Sequence, residues 1–557
     1  MKAWWLRRPL SARLAVCDAV AARSMKIISL FQTGSALARI FHSLAGRSCR
    51  RNWIVDAQVN RLLGRRLRAG FAGCFALIFG RRGSAALPTN WRRHSPVHEI
   101  CGLAAVGAVL IPALTAAADT NAVVTDQQTI ADNGKSNLPS TNSLSTGPHA
   151  AWWNLHMEAT YIGDWHPGFP AQYSGPESLD SHSATAETVD YELLLGARLW
   201  EGAEFHLDGL FWQGFGFNHT LGIEAFPNAE AYKVGSPHGN VCPARVFIRQ
   251  TFGLGGDQEP VADDALHVGG RQDVSRVTLT VGEISVLDIF DQNSYAGDVT
   301  SQFMNWALVG NEAWDYPANS LGFITGFAAE LNQPNWTARY GFFQMPRVQN
   351  GMATDQQYLQ AWGMVTELER RFAINNHPGA VRLLAFLNRA HSGTYADAVD
   401  SPTRPAVVAD PNYCLNYGFC LNAEYELTKG LGAFTRLGWN AGQTPGWAYS
   451  DLDKAASFGL SLKGDFWRRP DDTIGLAGII GGMSHEAQKY FAAGGMGILA
   501  GDGSLNYGLE EGLESYYNLR VWRNIHATAD YQYFVNPACN TARGPVSVVS
   551  LRLHWEY

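Results

Sequence analysis

From Ala151 to the C-terminus the chain repeats one pattern: short runs in which apolar and polar residues alternate, separated by turn residues. A period of two puts alternate side chains on opposite faces of a β-strand. The pattern predicts about sixteen strands: 152–162, 191–200, 203–215, 244–254, 274–284, 319–331, 336–343, 361–372, 379–389, 418–427, 431–440, 456–463, 472–483, 506–517, 523–534 and 546–557. In 418–427, Phe419, Leu421, Ala423, Tyr425 and Leu427 form one face and Cys420, Asn422, Glu424 and Glu426 the other. In 274–284, Val277, Leu279 and Val281 oppose Arg276, Thr278 and Thr280. In the last segment Val549, Leu551, Leu553, Trp555 and Tyr557 alternate with Ser550, Arg552, His554 and Glu556. Such a segment suits the closing strand of an outer-membrane barrel, with lipid on one side and a polar lumen on the other.

The connections alternate as well. After odd-numbered segments they are long, for instance 216–243, 285–318, 390–417 and 484–505; after even-numbered ones they are mostly short, as at 201–202, 332–335, 373–378 and 428–430, with 255–273 the exception. Long outer loops and short periplasmic turns are the asymmetry of an outer-membrane barrel. A soluble sandwich or propeller has no reason to alternate in this way. The predicted class is therefore all-β: a transmembrane antiparallel β-barrel over 151–557.

Composition narrows the picture. Only 17% of the 557 residues are charged, and Gly (57), Trp (18) and Tyr (20) are abundant. No run in the second half approaches the roughly twenty apolar residues of a membrane helix, so a membrane-spanning body must be built of strands. Residues 1–118 hold 18 Lys and Arg against 3 Asp and Glu; of the net −7 of the whole chain, the remainder therefore carries −22. An acidic body argues against nucleic acid as a partner.

The basic leader ends in a secretory signal pattern. Arg92 and Arg93 precede an apolar run from Gly102 to Leu114, then Ala116, Ala117, Ala118 and Asp119, which predicts export with cleavage after Ala118. Phe71–Phe79, behind Arg65, Arg66 and Arg68, is a weaker candidate, and an anchor or buried helix is the competing reading. Met25 offers an alternative start, and much of 1–90 is open to being an upstream extension of the reading frame. Residues 119–150, rich in Asn, Ser, Thr, Asp and Gly, are expected to be a flexible periplasmic N-terminus. The body cysteines are Cys242, Cys414, Cys420 and Cys539. Cys414 and Cys420 are close enough in sequence for a small loop disulfide in an oxidising periplasm; unpaired thiols are the equal alternative. No Cys or His spacing suggests zinc, and no metal or cofactor is predicted.

The polar faces gather both signs. Arg245, Arg249, Arg276, Arg339, Arg371, Arg382, Arg436 and Arg552 fall on them, with Glu158, Glu367, Glu369, Glu424, Glu426, Glu510, Glu514 and Asp530. A lumen of paired charges and amides can hydrogen-bond hydroxyls without selecting strongly for net charge, which suits neutral polyols and sugars. A non-selective general diffusion pore fits the same residues.

With these features the body resembles the carbohydrate-selective porin (OprB-like) family. The resemblance is carried by FPAQYSGPESL at Phe169–Leu179, GARLWEGAE at Gly196–Glu204, VLDIFDQNSYA at Val286–Ala296 and QFMNWAL at Gln302–Leu308. FWRRPDD at Phe466–Asp472, GGMGILAGDGSLNY at Gly494–Tyr507, EGLESYY at Glu511–Tyr517 and the segment Asp530–Val546 extend it to the C-terminus. The leader has no counterpart beyond a signal peptide, and Cys539 stands where an aromatic residue is expected. The resemblance implies a Gram-negative outer-membrane barrel for facilitated diffusion of mono- and small oligosaccharides. It implies lipid and the barrel-assembly machinery as partners, the latter through the C-terminal aromatic strand. It favours a pore that works as a monomer and leaves a trimer open.

It also implies an inward-folded loop that narrows the pore, for which 285–315 is the candidate, with Asp288, Asp291, Asn293, Asn305 and Trp306 as sugar contacts. Carboxylates and amides grip hydroxyls, and an aromatic ring stacks on a sugar's apolar face. Turn capping is the competing role for Asp291 and Asn293. An enzyme is not expected. Glu510 and Glu514 share one strand face and Glu511 the other, so a flanking glycosidase pair is not formed in any obvious way. No G-x-S-x-G, P-loop or H-E-x-x-H motif is present. GDGSLNYG at 501–508 lacks the ligand spacing of a calcium loop. A secreted carbohydrate-binding β-protein is the remaining alternative, and 119–150 is too short for the plug of an energised transporter.

Overall fold

The computed structural model describes residues 151–232, 235–400 and 412–557. The basic leader, its cleavage site and residues 119–150 lie outside the described residues. Strands β1 (Trp153–His166), β2 (Ala184–Trp200), β3 (Ala203–Phe215) and β4 (Ser236–Gly253) are followed by a small hairpin, β5 (Gln258–Val261) and β6 (Gly270–Asp273). Then come β7 (Arg276–Ile284), β8 (Ile324–Gln333), β9 (Trp336–Phe343), β10 (Trp362–Ile374), β11 (His377–His391) and β12 (Tyr413–Thr428). The last are β13 (Leu431–Asn440), β14 (Lys454–Lys463), β15 (Thr473–Gly482), β16 (Glu510–Trp522), β17 (Ile525–Val535) and β18 (Val546–Glu556). All but β5 and β6 form one closed barrel of sixteen antiparallel strands. It closes where β1 meets β18, in register from Glu158 opposite Glu556 to Trp165 opposite Val549. Closure leaves no unpaired edge, which is what a strand structure in lipid requires.

Each predicted strand corresponds to one barrel strand. The differences lie at the ends: β2 starts at Ala184, β4 at Ser236 and β12 at Tyr413, all earlier than the alternation suggests. These extensions sit on the long-loop side. A strand that projects beyond the hydrocarbon is wet on both faces, so its sequence has no reason to alternate.

The two faces separate cleanly. Leu193, Val281, Leu383, Phe419, Leu460, Leu476, Leu513 and Leu551 point outward and are exposed on the isolated chain, while Asn422, Glu424, Asp530, Ser550, Arg552 and His554 point inward and are buried. Exposed Trp153, Trp200, Trp336, Trp522 and Trp555 all sit near strand ends on the short-turn side. Their amphipathic rings mark the headgroup level there. Among the described residues no helix is long and apolar enough to cross a membrane. Cys414 and Cys420 correct one expectation: both lie in β12, six residues apart. At a rise of about 3.4 Å per residue they are roughly 20 Å apart, too far for a disulfide.

The main apolar cluster lies inside the barrel, where the connection 285–323 contributes Phe290, Phe303, Trp306, Leu308 and Trp314, fully or almost fully buried, to side chains of the wall and of other connections. A second cluster, on the long-loop side, joins helix α2 (Tyr395–Val399) to α3 (His485–Ala492) through Tyr395, Tyr490 and Phe491.

Candidate pore constriction

Residues 285–323 leave β7 and fold into the barrel before β8 begins. A chain entering the lumen brings backbone N–H and C=O groups that must find partners. The barrel wall supplies them with charged side chains. Glu367 of β10 accepts from Asp291 N (2.7 Å), and Glu424 of β12 from Ser294 N (2.6 Å). Glu514 of β16 accepts from Met304 N (2.7 Å) and Asn305 N (3.0 Å). Asn518 donates to Ser301 O at 2.7 Å, and Arg552 of β18 donates to Gln302 O at 3.0 Å. Arg436 of β13 is the hub. It donates to Asp291 Oδ2 (3.0 Å), Asp291 O (2.9 Å), Ala296 O (2.7 Å) and Leu308 O (2.7 Å). The loop is thus laid against the arc of wall from β10 to β18.

Glycines make room for it. A Cβ on lumen-facing Gly432 would lie 2.0 Å from the Tyr295 ring, and one on Gly438 would lie 2.0 Å from Asn311 Oδ1. A Cβ on Gly475 would come within 2.8 Å of the Phe303 ring. A strand that reads as weak because of its glycines is here a strand that admits a second backbone.

The predicted loop residues are placed as follows. Asp291, with φ of 55°, is buried; it accepts from Arg436, from Asn311 N (2.7 Å) and from Asn422 Nδ2 (2.7 Å). Asn293 donates to Asn422 Oδ1 (2.8 Å) and its own Oδ1 caps Tyr295 N (2.9 Å). Asn305 is fully buried, caps the short helix α1 (Trp306–Val309) through Ala307 N (2.9 Å), and donates to Gln532 (2.9 Å). Trp306 is 7% exposed, donates to Asn228 O (3.1 Å) and stacks on Tyr449 with centroids 5.5 Å apart. These four side chains hold the loop to itself and to the wall. Asp288 differs. Its side chain is 16% exposed and pairs with Arg245 of β4 at 2.9 Å.

Around Arg245 the structure gathers a charged cluster where the two ends of the loop, at Asp288 and Phe323, meet the β2–β4 wall. Arg245 also pairs with Asp208 of β3 (2.6 Å) and Glu192 of β2 (3.4 Å), and its guanidinium lies 5.1 Å from the centroid of Phe323. Neither Asp208 nor Glu192 stands out in the sequence, although each has the inward parity of its own strand. A second network runs along β8 to β12. Arg339 pairs with Glu330 (3.0 Å), Glu367 (2.6 Å) and Glu369 (3.0 Å), and Arg382 bridges Glu369 and Glu424 at 3.0 Å each.

The other predicted lumen residues divide between surface and seal. Arg249, Arg276 and Glu426 keep 12%, 17% and 18% of their side chains exposed. Glu510 is sealed, accepting from Ala225 N (2.7 Å) and Ala538 N (2.6 Å). In the loop itself, burial pushes the Glu312 carboxyl well above its ordinary value, with Glu510 adding to the effect. The Arg245 cluster presents forked donors beside carboxylate acceptors, a set that can exchange hydrogen bonds with vicinal hydroxyls.

Residues 177–557 match the family model of the carbohydrate-selective porins, the OprB family. No curated protein sequence matches the chain. Among solved structures, the chain is similar to the high-pH structure of Pseudomonas putida OprB, with 16% identity, a TM-score of 0.54, and coverage of 73% of this chain and 94% of that one. It is also similar to the outer-membrane channel DcaP of Acinetobacter baumannii, with 7% identity, a TM-score of 0.42, and coverage of 73% and 97%. For Pseudomonas aeruginosa OccK2 the figures are 9%, 0.38, 72% and 97%. Of these three, the first alone exceeds a TM-score of 0.5, and at that identity it speaks to the fold.

Proposed function

Because the chain belongs to the carbohydrate-selective porin (OprB) family, we infer that it carries neutral mono- and small oligosaccharides across the outer membrane by facilitated diffusion, past the Arg245 cluster. Membership makes it an outer-membrane carbohydrate porin, a channel. The finer reading is supported by one observation: where Asp288 of loop 285–323 meets the β2–β4 wall, Arg245, Asp288 and Glu192 keep 16%, 16% and 22% of their side chains exposed. A hydroxyl-rich neutral solute can exchange hydrogen bonds with donors and acceptors held this close together. An anionic solute is repelled by the three carboxylates and a cationic one by the guanidinium. Export through the periplasm and insertion by the barrel-assembly machinery follow from the signal pattern and from the aromatic C-terminal strand. The monomeric barrel is closed by its own strands and is taken as the working unit.

The test is liposome swelling with residues 119–557, using glucose, a disaccharide, and charged solutes of similar size. Sugars should enter faster than charged solutes, and Arg245→Ala or Asp288→Asn should reduce that preference. Equal entry of all solutes through the unaltered protein would favour the general diffusion pore, which the mixed charge of the lumen also permits.

A further inference from the structure

The exception among the short connections lies between β4 and β7. Instead of a tight turn, residues 254–275 form the β5–β6 hairpin. On the short-turn side the default place for such an insertion is the periplasm. Here the tip folds back into the barrel mouth. Asn154, the second residue of β1, donates to Asp263 Oδ1 (2.6 Å), Asp264 O (3.1 Å) and His267 O (2.8 Å). Arg198 of β2 donates to Val268 O (3.0 Å) and Gly269 O (2.8 Å), and Arg249 of β4 donates to Leu266 O (2.6 Å). Lower down, Arg276 pairs with Glu259 at 2.6 Å. Five successive or near-successive carbonyls of the tip are thus held by inward-facing wall side chains.

Packing agrees with the hydrogen bonds. Val268 is fully buried, and Leu266 packs against the interior apolar cluster. A Cβ on lumen-facing Gly196 would lie 2.2 Å from Asn154 Oδ1 and 3.0 Å from the Val268 side chain, so the missing side chain of Gly196 makes room for both the Asn154 hook and Val268. Gly196 is four residues inside the end of β2, so the tip reaches roughly 13 Å up the wall at about 3.3 Å per residue. The tip still presents polar groups to the open side: the Asp263 side chain is 48% exposed and that of His267 34%.

We propose that the docked hairpin 258–273 is a second constriction at the periplasmic exit, so that the size limit for permeating sugars is set at two levels: loop 285–323 from the outside and this hairpin from the inside. A solute that passes the Arg245 cluster then meets Asp263, His267 and neighbouring His156, whose polar atoms can take over hydrogen bonds to hydroxyls. The proposal rests on the channel reading above.

The experiment uses planar-bilayer conductance and liposome swelling with a series of oligosaccharides. In one variant a two-residue Asn-Gly turn replaces 257–272. In the other, Arg198→Ala with Arg249→Ala, the hairpin stays but loses the three hydrogen bonds of those arginines, with Asn154 still in place. Retained heat-modifiable mobility on gels verifies the barrel in each. Removing the hairpin should raise conductance and should let longer oligosaccharides enter. The double substitution should give an intermediate, noisier conductance. Unchanged conductance and size limit in a folded variant would overturn the proposal while leaving the channel standing. An unaltered protein that neither conducts nor swells liposomes would overturn the channel reading, and this proposal with it.

Discussion

Removing the Arg436 guanidinium tests the account of the loop most directly. Arg436 is 2% exposed and makes four hydrogen bonds to loop 285–323, one of them to the Asp291 carboxylate. Arg436→Met keeps most of the volume and deletes the charge. Hydrogen bonds to a charged group contribute about 1.5–3 kcal/mol each, but four made by one side chain do not add. The larger effect is the carboxylate left behind: breaking a buried ion pair by removing one partner costs about 3–5 kcal/mol. Asp291 retains the Asn311 N–H and the Asn422 amide, which places the expected cost toward the lower end of that range. At about 1.4 kcal/mol per factor of ten, the undocked loop should become roughly a hundredfold or more populated.

Single-channel recording reads this as frequent excursions to a higher conductance, and swelling assays as weaker discrimination between a sugar and a charged solute of the same size. Gel mobility should still report a folded barrel, because no strand pairing is touched. The double variant Arg436→Met with Asp291→Asn sharpens the test, since neutralising the orphaned carboxylate removes most of the penalty. The pair should be quieter than Arg436→Met alone, a strongly non-additive result. Wild-type conductance and noise in Arg436→Met would refute the reasoning, as would a double variant worse than either single one.

Other outcomes follow from the same contacts. Gly432→Ala should displace Tyr295 at an overpacking cost of about 1–3 kcal/mol and raise conductance; adding Tyr295→Ala should restore the wild-type value, because the Cβ would otherwise lie 2.0 Å from that ring. Trp306→Ala should loosen the loop, since emptying a buried aromatic site costs about 3–5 kcal/mol. Trp306→Phe should leave sugar-induced current block unchanged, because Trp306 is buried and packs on Tyr449 of the β13–β14 connection. On the long-loop side, burial pushes the Asp453 carboxyl up to about 7 from an ordinary value of 3.8. A raised carboxyl stabilises the packing below its unfolded value, and that contribution is lost as pH rises through about 7. Hydrogen exchange at Ser484 N, which donates to Asp453 at 2.6 Å, should therefore be faster at pH 8 than at pH 5 after correction for intrinsic rates, and Asp453→Asn should flatten the difference.

The barrel was legible because lipid imposes a rule on every strand. An outward face that must be apolar and an inward face that must be polar leave a period of two, as in Phe419 to Leu427 against Cys420 to Glu426. The strand ends were less legible because that rule stops at the headgroups. The loop was located, although 285–315 stops short of its end at 323. What its residues do was not legible. Asp291, Asn293 and Asn305 have the same chemistry as sugar ligands, and only the register of the fold shows that Asn422, Arg436 and Gln532 already occupy their hydrogen-bonding groups. Asp208 and Glu192 went unnoticed for the converse reason: nothing marks them except parity, until Arg245 and Asp288 are brought beside them. The hairpin tip was invisible as a lumen element, because residues 263–269 carry no sign that Asn154 and Arg198, more than sixty residues away, will hold their carbonyls.

The same physics explains why charges are so numerous in the lumen of a carbohydrate porin. A loop inside a barrel cannot be held by hydrophobic contact alone, because the inner wall must keep polar positions and the loop backbone must be paired. Carboxylates are well suited to hold it, and Glu367, Glu424 and Glu514 each accept N–H groups of the loop. The charges of Glu367 and Glu424 are met by Arg339 and Arg382, and that of Asp291 in the loop by Arg436. Most inward charges are thereby consumed in fixing the shape of the passage. Arg245, Asp288 and Glu192 above and Asp263 below are among those that stay partly exposed, and in the proposed function they are the ones that meet the solute. Selectivity in such a channel is thus set less by how many charges line it than by which of them the inserted segments leave uncovered.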